Sequence, residues 1–312
     1  MKLLAALAIV ALVAPVLAPY DAGRQFPGYQ FAPPMRPHLF DGLRPRLPFA
    51  YPIRAVDPIE RRYQQDRAGR VTTFRGDVPW FLLGSDALGR DVLSRALIGA
   101  RLSLGIALLA TLLTLLLGAA AGAIAASAGG WVDAILMRLA DLVIVLPGIY
   151  VVLAVRGTLP LVLTTGEVFG ALTLVLALVG WPTVARGVRG ILAVEATAEY
   201  AEAARAAGAG PWRLMVRHLL PAARGFLAAQ ATILVPAFIM AEATLSFVGL
   251  GFAPPTPSWG AMLYEAGAVR IAADAPWLLA PAGMVFLTVL AVHTAAHTDA
   301  HAGAGDFTSK SF

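Results

Sequence analysis

"EYAEAARAAGAGPWRLMVRHLLPAA" occupies 199–223 and lies between two long apolar runs. It reads as a short acidic helix, a glycine break and a second helix carrying Arg213, Arg217 and His218. Glu195, Glu199 and Glu202 recur at i, i+4 and i+7, beside a stripe of Val188, Ile191, Val194, Ala198 and Ala201. Gly208 and Gly210 end the first helix, because glycine is poor inside a helix and good just past its C-terminus. Pro211 suits the first turn of the next helix. An alanine-rich surface lets another backbone approach closely, and the carboxylates offer directional, charge-assisted contacts. The plainer alternative is a solvated loop helix between two membrane spans.

Outward from this element the chain is oily. Of 312 residues, 58% are hydrophobic and 14% charged, where soluble domains carry about a quarter charged residues. The mean hydropathy is +0.72. Six runs are long enough to cross a bilayer as helices, which takes about 20 residues each: 3–20, 102–126, 134–155, 168–187, 226–249 and 277–297. This predicts an all-α polytopic membrane protein rather than a barrel, whose segments would be about 10 alternating residues. The first run, with Lys2 ahead of it and small residues at its end, also resembles a secretory signal. Pro19 after Ala18 disfavours cleavage, so an uncleaved first helix is the reading taken. With no cysteine there is no disulfide framework and no thiolate metal site.

Residues 20–80 are rich in Pro, Arg, Tyr and Phe. The prolines exclude long helices, leaving short extended pieces and turns. In 84–101, Val92, Leu93, Ala96, Leu97 and Ala100 recur at helical spacing while Asp91, Arg95 and Arg101 fall elsewhere. This predicts an amphipathic helix at the membrane surface. Residues 20–101 hold 13 arginines and 8 acids, whereas the shorter loop 186–224 holds six arginines. The positive-inside rule weighs short loops most. It puts 186–224 and both termini in the cytoplasm and 21–82 outside.

Beyond these patterns, Glu202-Ala203-Ala204, three residues, Gly208, then Leu220-Pro221 resembles the EAA signature of ABC importer permeases. "LLGSDALGRDVLSRALIGARLSLGIAL" (82–108) is similar to a stretch of the dipeptide/oligopeptide/nickel permeases, with Ser85 where threonine is usual. "WPTVARGVRG" (181–190), "EATLSFVGLGFAPPTPSWGAML" (242–263) and "APWLLAPAG" (275–283) resemble further blocks of that family in the same order. The resemblance covers about 82–290 and points to the second permease of the pair. It implies the type I importer fold, with Glu199, Glu202, Ala203, Ala204, Gly208, Arg217, Leu220 and Pro221 as the contact that couples to an ATPase. It implies Asp86, Gly89, Arg90, Asp91, Ser258, Trp259 and Gly260 as a family-matched loop set. The implied partners are a second permease in a heterodimer, two ATPase subunits that bind ATP and magnesium, an external substrate-binding protein and the bilayer of the bacterial inner membrane. Substrates would be peptides, nickel complexes or similar small solutes. The family's C-terminal motifs are replaced here by "HTAAHTDAHAGAGDF" (293–307).

The chain should not hydrolyse ATP itself. A P-loop needs a lysine after a glycine-rich turn, and neither Lys2 nor Lys310 follows one. No cofactor and no catalytic residue is expected, and no nucleic-acid partner. Glu242 and Asp141 lie in apolar runs and are candidate pathway or bundle residues, since an intramembrane carboxylate is costly; Asp141 could pair with Arg138 at i, i+3. His293, His297 and His301, at i, i+4 and i+8, are weak metal-ligand candidates. The competing functions are a proton-coupled secondary transporter and an intramembrane metal-dependent enzyme built on those histidines. The expected organisation is a first transmembrane helix or signal anchor (1–20), an exported segment (21–82), an amphipathic lead-in helix (83–101), a permease core (102–297) containing the coupling loop 186–224, and a tail (298–312).

Overall fold

A computed structural model describes the backbone of residues 9, 12–41, 44–57, 62–74, 76, 78–158, 163–248, 251–252, 255–267 and 274–308. The expected first span over 3–20 lies for most of its length outside the described residues; 12–17 are helical. The chain divides into two compact units.

The first unit comprises Ala6–Gly105 together with Ala243–Leu287. Its proline-rich part forms two antiparallel hairpins. One pairs β1 (His38–Asp41) with β2 (Arg44–Phe49), the other β3 (Ile53–Asp57) with β4 (Arg62–Gln65). Tyr20, Phe26, Met35, Ile53, Trp80 and Phe81 make its buried core. Phe26 packs edge-on to Tyr20 and Phe81, with centroids 5.1 and 5.4 Å apart, the arrangement favoured by ring quadrupoles. This is a small folded lobe of short extended pieces. A second cluster joins Val92 and Ala96, in the first turns of α1 (Val92–Ala128), to Met262 and Ala266 of α8 (Trp259–Gly267).

The sequence expectation of an amphipathic helix over 83–101 is corrected here. Residues 84–91 are turns and bridges, and the helix starts at Val92. Asp91 caps it, its Oδ2 accepting from the backbone N–H of Ser94 at 2.8 Å, as an N-cap acid does. Nor is the polar face solvated, for Asp91 and Arg95 are 2% and 1% exposed.

The second unit comprises Ile106–Glu242 and the chain from Thr288. After α1 come α2 (Gly130–Val145), α3 (Gly148–Thr158), α4 (Thr165–Glu195), α5 (Glu199–Ala206), α6 (Pro211–Leu214) and α7 (Arg224–Phe247); α9 (Ala280–Thr308) closes the described chain. The run 134–155, read as one span, is two helices. Pro147 explains the break: the residue before proline is pushed out of helical conformation, and Leu146 is extended at φ −74°, ψ 126°. At 1.5 Å per residue α2 and α3 reach about 24 and 16 Å, short of the roughly 30 Å of hydrocarbon. Among the described residues four helical stretches are long and apolar enough to cross a membrane: Val92–Ala128, Thr165–Glu195, Pro211–Phe247 and Pro276–Thr294.

α4 is the hub of this unit. A Thr164/Glu167 capping box starts it, and it continues through buried Pro182. A Cβ at Gly118 of α1 would meet Val184 Cβ at 2.5 Å, and one at Gly122 the Ala185 carbonyl oxygen at 2.6 Å. Gly187 lies against the ring of Phe226 on α7. Small residues at such crossings let helices touch along their backbones.

Gly122→Val is therefore expected to destabilise the bundle by about 1–3 kcal/mol, because a backbone carbonyl cannot move aside. Gly170→Ala has nothing within 4 Å and should be neutral or slightly stabilising. Thermal melting of the two purified variants in detergent checks both.

Candidate functional site

The element between α4 and α7 has one face turned inward. Ala201, Leu214, Met215, Leu219 and Ala223 are buried against Val184, Val188 and Leu192 of α4. Glu199, Glu202 and Ala203 are exposed. The two carboxylates stand in the first turn of α5, where the helix dipole favours negative charge. Ala204 is half-buried and packs on the inward cluster.

Each end of α5 is held. Tyr200 Oη donates to Glu195 Oε2 at 2.6 Å, and that bond pushes the phenol's pKa up to about 12. Arg205 Nη2 donates to the Ala196 carbonyl at 2.8 Å. At the other end Gly208 has φ +81°, and the N–H of Ala209 donates to the Ala204 carbonyl at 3.0 Å. That is a Schellman ending with glycine in the left-handed position. Pro211 then opens α6 at its first turn. Pro221 has no N–H for the Arg217 carbonyl, and the helix passes there through a π turn (Met215–Leu219) and a 3-10 turn (Leu220–Ala223) before α7. Arg217 is exposed on the π turn, whereas Leu220 and Pro221 are half-buried. A cavity of about 390 Å³ lies beneath the element, lined by Ser127, Leu192, Ala196, Arg205, Pro211 and Leu219. Sequence reasoning passed over Trp212, which is 79% exposed; its place right after Pro211 was the available signal.

The family-matched residues gather in the other unit. Asp86 Oδ1 accepts from the N–H groups of Leu88 and Arg90 at 2.8 and 3.0 Å, and its Oδ2 from Arg90 Nε at 2.7 Å and from Arg95. Glu265 of α8 accepts from Arg90 at 2.9 Å and from Arg95 at 2.6 and 2.9 Å. The result is a charge-balanced knot of two arginines and two acids. Gly89 lies against the Phe26 backbone, leaving no room for a side chain. Ser258 Oγ accepts from the Ala261 N–H at 3.1 Å and caps α8. Trp259 Nε1 donates to the Ala96 carbonyl at 3.0 Å, and a Cβ at Gly260 would meet the Ala243 backbone at 2.6 Å. These residues bind the loop, α1 and α8 together. Glu265 and Arg95 had no partner legible in sequence. A cavity of about 360 Å³ bordered by Phe31, Leu88, Met262 and Tyr264 adjoins the knot.

Other candidates separate. Asp141 pairs with Arg186 of α4, not with Arg138. Glu242 is buried on α7. His293 is exposed on α9; the side chains of His297 and His301 lie outside the described residues. Among the described residues no group of three His, Asp or Glu is placed to hold a metal ion.

Comparison with known proteins gives this arrangement a context. The family described as binding-protein-dependent transport system inner membrane component matches residues 118–298. A peptide permease protein of Brucella ovis is 38% identical over 215 residues, 69% of this chain and 68% of its own. A glutathione transport system permease of Pectobacterium atrosepticum is 37% identical over 209 residues, 67% of each. The dipeptide transport system permease of Bacillus subtilis is 38% identical over 213 residues, 68% of this chain and 64% of its own. The inward-facing MetNI methionine ABC transporter is similar in fold, with a TM-score of 0.53 and 20% identity over 65% of this chain and 94% of that one.

Burial raises the pKa of Asp91 to about 6, with the Ser94 hydrogen bonds pulling it back part of the way. Its folded pKa lies above the ordinary carboxylate value. Its contribution to stability is therefore complete below about pH 4 and lost as pH rises through about 6. The melting temperature of the wild type, taken relative to Asp91→Asn, should fall over that window; a flat difference between the two proteins would remove this reading of Asp91.

Proposed function

Because the chain belongs to the family of binding-protein-dependent transport system inner membrane components, and is a permease subunit of an ATP-driven importer, we propose that it carries peptides or similar small solutes and takes its power stroke through 199–223. The chain is an integral protein of the bacterial inner membrane. The peptide assignment is supported by relatives named for peptide, dipeptide and glutathione transport. In this reading it forms a heterodimer with a second permease, receives solute from an external binding protein and engages two ATPase subunits that hold ATP and magnesium. The loop 186–224 and the C-terminus are cytoplasmic, and 21–82, with its two hairpins, is exported.

The observation that carries the coupling assignment is the two-sided build of α5. Its inner side, through Ala201, is locked onto α4. Its outer side offers Glu199, Glu202 and Ala203, an acidic and close-approach surface suited to a groove on a soluble partner. Gly208 ends the helix abruptly enough for α6 to turn away. Leu220 and Pro221, half-buried, shape the start of α7. In the cycle that follows, nucleotide binding closes the ATPase pair and moves α5. The bundle then shifts between two states, each favoured by a different bound partner.

Purifying the importer by a tag on this chain should bring the ATPase along from wild-type membranes. With Glu202→Arg the ATPase should be lost while membrane insertion is unchanged. Gly208→Val, which forces a β-branched residue into a left-handed conformation, should reduce uptake at least about tenfold. An ATPase still bound to the Glu202→Arg protein, with uptake normal, rules out 199–223 as the motor contact.

A further inference from the structure

α2 is bounded by a joint at each end. At its start, Gly129 and Gly130 both have positive φ, +61° and +52°, a conformation that leaves α2 free to diverge from α1. At its end stands the Leu146-Pro147 break. Between these two joints it lies close along α4, with Ala140 buried, and two ion pairs join the two helices. Arg189 forks onto Asp133, with Nε to Oδ1 at 3.0 Å and Nη2 to Oδ2. Arg186 pairs with Asp141 one turn earlier on α4 and two turns later on α2, as antiparallel helices require.

The same turns of α4 carry Val184, Val188 and Leu192, which receive the inward face of the coupling element. So α4 holds the coupling element on one side and α2 on another, within three turns. The Arg186–Asp141 pair is open, and in the Arg189–Asp133 pair the arginine is the more exposed partner. Arg186 and Asp141 are about half exposed, and Arg189 and Asp133 are 42% and 18% exposed. What a forked arginine–carboxylate pair does supply is fixed orientation.

The geometry points to α2 as a lever: Arg189 and Arg186, through Asp133 and Asp141, are positioning residues that carry a displacement of the coupling element into α2 and so toward the Pro147 joint and α3. This rests on the reading of 199–223 as the motor contact. Sequence alone hid the linkage, since Asp141 has a nearer arginine at Arg138 that it does not use.

The test uses the whole importer in liposomes, with its partner permease, ATPase and binding protein. The chain has no native cysteine, so single spin labels can be placed at Leu139→Cys on α2 and at Val194→Cys on the last turn of α4. In the wild type both labels should respond to ATP binding. Arg189→Asp or Asp133→Arg should silence the Leu139 label and leave the Val194 label responding. Solute moved per ATP hydrolysed should fall at least about fivefold, the low end of usual coupling factors. The exchanged pair Asp133→Arg/Arg189→Asp should restore both readouts. Arg189→Gln adds no repulsion and serves if a reversal prevents assembly; the same loss is expected of it. A Leu139 response or a transport ratio unchanged in the single variants overturns the lever, and so does failure of the exchanged pair to rescue. A Val194 label silent in the wild type overturns the motor-contact reading itself, and the lever with it.

Discussion

Helices inside a bilayer gain little by hiding oily side chains from one another, because lipid tails are as apolar as leucine. Such a bundle holds together by close approach and by pairing of polar groups, and α4 is where both are built. Glycines on α1 bring that helix onto the α4 backbone, and Gly187 of α4 receives a phenylalanine ring from α7. Arginines on its last turns take carboxylates from α2. The inward face of 199–223 rests on the same helix, against Val184, Val188 and Leu192.

The charged residues fall into two regimes. In the knot of Asp86, Arg90, Arg95 and Glu265, three of the four side chains are nearly sealed from solvent. Losing one partner there strands a buried charge, which typically costs about 3–5 kcal/mol. The pairs on α2 and α4 are more open than the knot, with Arg186 and Asp141 about half exposed. A transporter needs both kinds: one to keep a loop and two helices in register, the other to grip a part that moves.

Much of this was legible in the sequence and some was not, for identifiable reasons. The apolar runs marked the long helices because a span is a property of local composition. The hinge at Gly208 and the opening of α6 at Pro211 followed from residues whose backbone preferences are intrinsic. The lead-in helix was drawn too early because apolar spacing ignores capping; Asp91 with Ser94 three residues on was the boundary signal. Pro147 inside the run marks an interruption of that span in the sequence, and the structure makes it a full break at Leu146. Glu265 and the pairing of Asp141 with Arg186 were out of reach, because a contact across 170 residues, or a choice between two arginines, is settled only by tertiary packing. The roles assigned to individual coupling residues came from resemblance, and the fold sorts them into exposed and buried sets.

The length of α4 bears on the lipid as well. Its 31 residues extend about 46 Å, and about 43 Å at a common tilt of 20°, against a hydrocarbon layer of about 30 Å. Roughly 13 Å of helix is left over. Arg186 and Arg189 sit toward one end of α4, and charged side chains seek the interface, so the surplus gathers on their side. The turns that seat α5 then stand clear of the acyl chains. A membrane that thickens or thins by a few Å, with temperature or lipid supply, is taken up within that surplus length.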